Sequence, residues 1–280
     1  MLSLQLPKAP PWWTRFRPTA HYLMETEAHV YALAISASTL LAFYPFMIVM
    51  LAFCRDVLKW PAAQQAIYLA LGDFFAGEPG EFIVRNLQPW MVPKMHFASM
   101  FLLLFTANGI FEPLEVALNR AWGVTQNRSY LRNQVVSLGL IFLCGGLALL
   151  SMMLTALNSR WISDAVGMHA QVAVWVNLLF FKLAALPVSI LALLLIYWLL
   201  PNRKVEPRRI IPVAVVVGVA LELLKYVNLL VWPFLQKKLD HEYSVFQHSV
   251  TILLWAFAVA MIVLAGAHWT ARQDRPDPLS

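Results

Sequence analysis

Residues 210–235 read IIPVAVVVGVALELLKYVNLLVWPFL, and Glu222 and Lys225 carry the only formal charges in that run. The stretch is otherwise apolar enough to cross a bilayer as a helix. Three residues of separation put the two charged side chains on one helical face. A charge at that depth costs several kcal/mol on insertion scales, so the face is expected to meet protein or water rather than lipid. The segment therefore predicts a membrane-spanning helix in an all-α, polytopic protein whose bundle encloses polar groups.

Composition extends this reading to the whole chain. Of 280 residues, 60% are hydrophobic and 13% are charged, against roughly 25% charged in a soluble domain. Runs of about 20 apolar residues predict six transmembrane helices: Ala28 to Phe53, His96 to Leu118, Val135 to Leu157, Val172 to Leu200, Ile210 to Leu235 and Val250 to Trp269. Lys and Arg then set the orientation. With a cytoplasmic amino terminus the inner side receives most of them, the Arg203, Lys204, Arg208 and Arg209 cluster above all, which predicts that both termini are cytoplasmic. The net charge of +6 reads as topology and contact with membrane lipids, anionic ones especially, and nucleic acid is not an expected partner.

Outside the spans, residues 1–27 form a cytoplasmic segment in which Trp12, Trp13, Arg15, Phe16 and Arg17 fit a short amphipathic helix on the interface or a disordered tail. The pattern of a cleavable signal peptide is not present there. Residues 54–95 form the largest outer loop, with helical spacing over Ala62 to Phe75, a turn at Gly77 to Gly80 and a second short amphipathic stretch over Glu81 to Trp90. About 40 residues are too few for an independent catalytic domain, so residues 1–280 are read as a single integral membrane domain. Cys54 and Cys144 differ in expected depth, which argues against a disulfide.

Within the spans, Pro45, Pro113, Pro187 and Pro233 should each free a carbonyl one turn earlier, shaping a cavity or hinge or simply adjusting packing. The second span holds the densest polar face: Asn108, Glu112, Glu115 and Asn119 recur at spacings of four, three and four, and Arg120 follows. Asn108 and Glu112 belong at mid-depth. Glu115, Asn119 and Arg120 approach the cytoplasmic interface, where solvation and ion pairing compete with a substrate role. Lys182 lies deep in the fourth span and could neutralise Glu112 or Glu222 across the bundle. With Glu222 and Lys225, these residues form the candidate substrate pathway; the competing reading is that the charges only fix helix register.

The segment Gly109 to Val124, GIFEPLEVALNRAWGV, closely resembles the Leu-Glu-x-Ala-Leu-Asn-x-x-Trp-Gly signature of the YihY/BrkB family of bacterial inner-membrane proteins. Phe43-Tyr44-Pro45, the basic loop from Arg203 followed by Glu222-Leu-Leu-Lys225, and Leu264-Ala-Gly-Ala267 resemble other parts of the same pattern, in the same order. The resemblance implies six transmembrane helices in the cytoplasmic membrane, a link to envelope integrity, and a suspected role in moving lipids or lipid-like precursors. Residue by residue it points to Glu115, Asn119, Arg120, Trp122, Gly123, Glu222 and Lys225. His268 departs from the family pattern, which often carries an acid at that place.

Members of that family were formerly labelled ribonucleases, but the seven histidines are scattered in sequence and supply no set of metal ligands. His241 and His248, in one outer loop with Asp240 and Glu242, come nearest. Nucleophile-elbow, P-loop and dinucleotide motifs do not occur, so no catalytic residue, metal or cofactor is expected. The expected function is non-enzymatic: binding or transport of a lipid-like amphipathic substrate through a polar crevice between spans two, four and five, with a homo-oligomer or an envelope transport partner as candidate assemblies. A scaffold or regulator, and an ion or small-solute transporter, are the alternatives.

Overall fold

The computed structural model describes residues 11–74, 85, 87, 97–124, 129, 131–147, 186–243 and 246–272. Among these the chain is helical and holds no strand. The helices are α1 (Pro11–Met24), α2 (Thr26–Ala52), α3 (Pro61–Phe74), α4 (Phe97–Ala121), α5 (Leu131–Leu147), α6 (Leu186–Leu199), α7 (Pro207–Tyr243) and α8 (Gln247–Arg272). Each of the six apolar runs falls on one of them, in whole or in its described part: α2, α4, α5, α6, α7 and α8. Glu27–Val57, Pro207–Asn228 and Gln247–Arg272 are long and apolar enough to cross a membrane.

The outward faces explain why such a chain needs lipid. Leu41 is 66% exposed, Leu230 73% and Phe234 80%, each on a long apolar helix where water would be a poor solvent. This is an all-α membrane protein.

α2 packs against α4 and α8, α8 also against α4 and α7, and α1 lies across α8 and the start of α2. Described spans that follow one another in the chain alternate in direction, so that the packed pair α4 and α8 runs parallel. Asn202, just beyond α6, hydrogen-bonds Asn119 near the end of α4, and Gly266 near the end of α8 lies against Val217 in the first half of α7. One end of the bundle thus gathers α1, the starts of α2 and α7, and the ends of α4, α6 and α8. At the other end α2 continues through a π-helical turn, Phe53–Val57, closed by Leu58 N–H to the Phe53 carbonyl at 3.1 Å. Lys59 then takes a left-handed φ of 49°, and Pro61 opens α3, where a missing N–H costs nothing.

Close approach at the α6–α7–α8 crossing depends on Gly266, where a Cβ would overlap Val217 Cγ2 and stand 2.5 Å from Tyr197 Oη. The buried Tyr197 hydroxyl donates to the Val263 carbonyl at 2.8 Å, so the crossing is also tied by a hydrogen bond. Pro45, Pro113 and Pro233 all sit inside continuous helices.

Two expectations change. Asp240 to Glu242 do not lie in a loop: α7 runs on to Tyr243, because the sequence from Gln236 keeps good helix formers and an i,i+4 contact between Lys238 and Glu242 at 4.0 Å. His248 likewise lies in the first turn of α8. The outer-loop helix over Ala62 to Phe75 is present as α3; the turn at Gly77 to Gly80 and most of Glu81 to Trp90 lie outside the described residues. Cys54 and Cys144 are both free thiols.

Candidate functional site

The six candidate residues whose side chains are described do not form one constellation. Lys182 lies outside the described residues, as does the side chain of Asn108. Glu112 is exposed on α4, whereas Glu115 and Asn119, three and seven positions on, are 3% and 2% exposed. The Asn119 amide donates to Glu115 Oε1 at 3.4 Å, and its oxygen accepts the Asn202 backbone N–H at 2.8 Å. α4 is thereby clamped to the chain that leaves α6.

The next residues end the helix. Gly123 N–H reaches the Arg120 carbonyl at 3.1 Å, Val124 N–H reaches the Asn119 carbonyl at 2.8 Å, and Gly123 takes φ 68°. This is a Schellman cap, which satisfies otherwise orphaned carbonyls and favours glycine at the left-handed position. Trp122 is buried beside it, with the Arg203 guanidinium 5.8 Å from its ring centroid. The Asn-Arg-x-Trp-Gly motif therefore has a structural account: a clamp, a cap and an anchor.

Glu222 and Lys225 pair within α7 at 2.8 Å and are 18% and 13% exposed. Two largely withdrawn charges that neutralise each other offset much of their desolvation cost.

One cavity is apolar. It encloses about 490 Å³, within the range of small-molecule and cofactor sites. Phe43, Phe46 and Met47 of α2, Phe111 of α4 and Trp255 and Val259 of α8 line it, with Ile67 and Leu71 of α3 at its far end. Thr39 also lines it, but its hydroxyl is spent on the Ile35 carbonyl at 2.8 Å. The polar crevice expected between spans two, four and five involves Lys182 and Asn108, which fall outside the described residues; the apolar cavity is walled chiefly by spans one, two and six. The reason is local: the inward faces of α2 and α8 carry aromatic and branched residues, while Glu115 and Asn119 turn toward the α6 exit.

A second cavity, of about 290 Å³, is polar. Glu25, Glu27 and Tyr31 come from the start of α2 and the residue before it, Arg120 from the end of α4, His268 and Arg272 from the end of α8, and Tyr22 from α1. Arg120 Nη2 lies 2.7 Å from Glu27 Oε1. Tyr22 stacks on His268, with centroids 4.5 Å apart and planes 6° from parallel, and Thr19 Oγ1 is 3.3 Å from His268 Nδ1. Burial first, and then the nearby Tyr31 and carboxylates, push the Tyr22 phenol up to about 12. Among the six candidates with described side chains, Arg120 alone lines either of these two cavities. Nothing in the sequence singles out Tyr22, Glu25, Glu27 and Arg272, because each stands near the edge of an apolar run and reads as ordinary interfacial polarity.

The two cavities are stacked. On α2 the linings change from polar to apolar between Tyr31 and Ile35, on α4 between Ala117 and Leu114, and on α8 between His268 and Val263. These intervals of three to five residues amount to about 5–8 Å along a helix. No three His, Cys, Asp or Glu side chains among the described residues are placed to hold a metal ion.

The family described as Virulence factor BrkB matches residues 20–278. A "UPF0761 membrane protein" of Chromohalobacter salexigens is 27% identical over 248 residues, covering 86% of this chain and 58% of the relative. Another of that name from Pseudomonas aeruginosa is 26% identical over 260 residues, covering 89% of this chain and 60% of the relative. The chain thus spans about three-fifths of the length of these curated relatives. No solved structure matches.

Proposed function

The chain belongs to the virulence factor BrkB family, and from that premise we propose that it is a non-enzymatic, multi-pass protein of the bacterial inner membrane that binds an amphipathic lipid inside its helix bundle and hands it on in support of envelope integrity. The observation that carries the reading is the pairing of an apolar cavity with a polar one about one helical turn away, walled by the same three helices. An amphiphile has that division. Taking each chain carbon to need about 30 Å³, the share of one water in the liquid, 490 Å³ accommodates roughly one acyl chain.

The excess of Lys and Arg at the end that bears the polar cavity, Arg203, Lys204, Arg208 and Arg209 among them, supports a cytoplasmic position for that end and for both termini. A lipid of the inner leaflet would then enter with its headgroup already on the correct side. From Ile35 to Met50 the apolar lining of α2 extends about 22 Å, longer than the roughly 15 Å of one leaflet.

Ala256 lines the apolar cavity from α8, and Ala256→Trp would obstruct it, taking up about half of its volume at roughly 30 Å³ per added atom. Protein purified in mild detergent and extracted with organic solvent should yield close to one tightly held lipid per chain, and the variant should lose most of it at an unchanged thermal midpoint. Equal lipid content in both proteins, with the variant folded, would sink the proposal.

A further inference from the structure

We infer that the polar cavity selects a phospholipid whose headgroup is zwitterionic, with a phosphate and a primary ammonium. The inference rests on the lipid-binding reading above and deepens it. An acyl chain gains little on leaving a bilayer for an apolar cavity, because lipid tails are as apolar as the side chains that replace them. Selection among lipids must therefore come from the polar end.

That end carries two carboxylates, Glu25, which also lies 3.2 Å from His21 Nδ1, and Glu27, and two guanidiniums, Arg120 and Arg272, at a mouth where Arg120 and Glu27 are 64% and 48% exposed. Opposite charges in equal number, gathered in one cavity, complement a ligand that is itself a dipole of charges. A headgroup with net negative charge would meet Glu25 and Glu27 without offering them a cation. A purely cationic group would leave the guanidiniums unanswered. A phosphate can accept charge-assisted hydrogen bonds from Arg120 and Arg272, and a primary ammonium has three protons to donate to the carboxylates. The Arg120–Glu27 pair at 2.7 Å already brings a donor for phosphate and an acceptor for ammonium side by side. The cavity's 290 Å³ is of headgroup size, and Tyr22, held by its stack on His268, closes one side.

Trp255, in the apolar cavity, supplies the readout. Full-length protein in detergent micelles would be titrated with lipids of identical brominated chains bearing phosphoethanolamine, phosphocholine or phosphoglycerol headgroups. The Trp255→Phe protein serves as the blank for the remaining tryptophans. The phosphoethanolamine lipid should quench Trp255 at a mole fraction about tenfold lower than the other two, the worth of one charge-assisted hydrogen bond. Glu27→Gln combined with Arg120→Gln, which removes both members of the pair, should erase the preference and keep the maximal quenching. If that variant does not fold, the wild-type series decides alone, since trimethylation in phosphocholine removes the ammonium protons at constant charge. Equal quenching by all three headgroups would overturn the headgroup assignment and leave the chain cavity standing. Absence of any Trp255-dependent quenching would overturn both. Displacement by chain-free glycerophosphoethanolamine at the same concentration would reassign the site to a soluble ligand.

Discussion

Asn119 shows how one side chain can serve two elements at once. Its oxygen satisfies a backbone donor at Asn202 while its own carbonyl receives the capping Val124 N–H. Asn119→Ala would remove this acceptor of the Asn202 N–H at a part-buried site, costing about 1 kcal/mol or more, and Asn119→Asp, which keeps an acceptor, should cost less on that account. Thermal unfolding in detergent would rank the two. Equal midpoints for wild type and the Ala variant would mean that the clamp carries no weight. Glu222 and Lys225 call for a different comparison. Loss of one partner removes the ion pair and leaves the other charge less well neutralised within a long apolar helix, with a penalty of up to about 3 kcal/mol, whereas Glu222→Gln with Lys225→Met removes both. If the pair serves only helix register, the double variant recovers the stability that Glu222→Gln loses and keeps a normal envelope phenotype. A stable double variant that still fails in the envelope assigns the charges to the substrate's path.

At the scale of the helices, the apolar runs were legible because a span needs some 20 apolar residues and nothing in a soluble core demands them. What stops or joins them was less so. The π turn after Ala52 and the left-handed Lys59 have no composition signal, and α7 outran its apolar segment because Gln236 to Glu242 suit a helix in water as well as the apolar part suits one in lipid. Gly266 illustrates the same limit. A lone glycine in a run of small residues permits close contact, but which helix approaches is a tertiary fact. Gly266→Ala should force Tyr197 and Val217 apart at the crossing of α6, α7 and α8, lowering stability by about 1–3 kcal/mol, detectable as earlier proteolysis between α6 and α7. An unshifted melting midpoint would show that the crossing yields without cost.

Taken whole, the molecule places its signature motif and its cavities in different roles. The sequence directs attention to charged and polar residues in spans, and two of them, Glu115 and Asn119, are occupied in fixing α4 to the chain beyond α6. The cavity linings escaped notice for a physical reason: Phe43, Phe111 and Trp255 are the residues any helical interior would use, and only their arrangement leaves space between them. The polar cavity draws its walls from Tyr22 at one extreme of the described chain and Arg272 at the other. The contact of Thr19 with His268 spans 249 positions. During translation, then, the ribosome delivers the first half of that compartment long before the second. A nascent chain that has not yet released α8 has no complete compartment, so closure of the compartment marks the point at which α8 has been made and inserted.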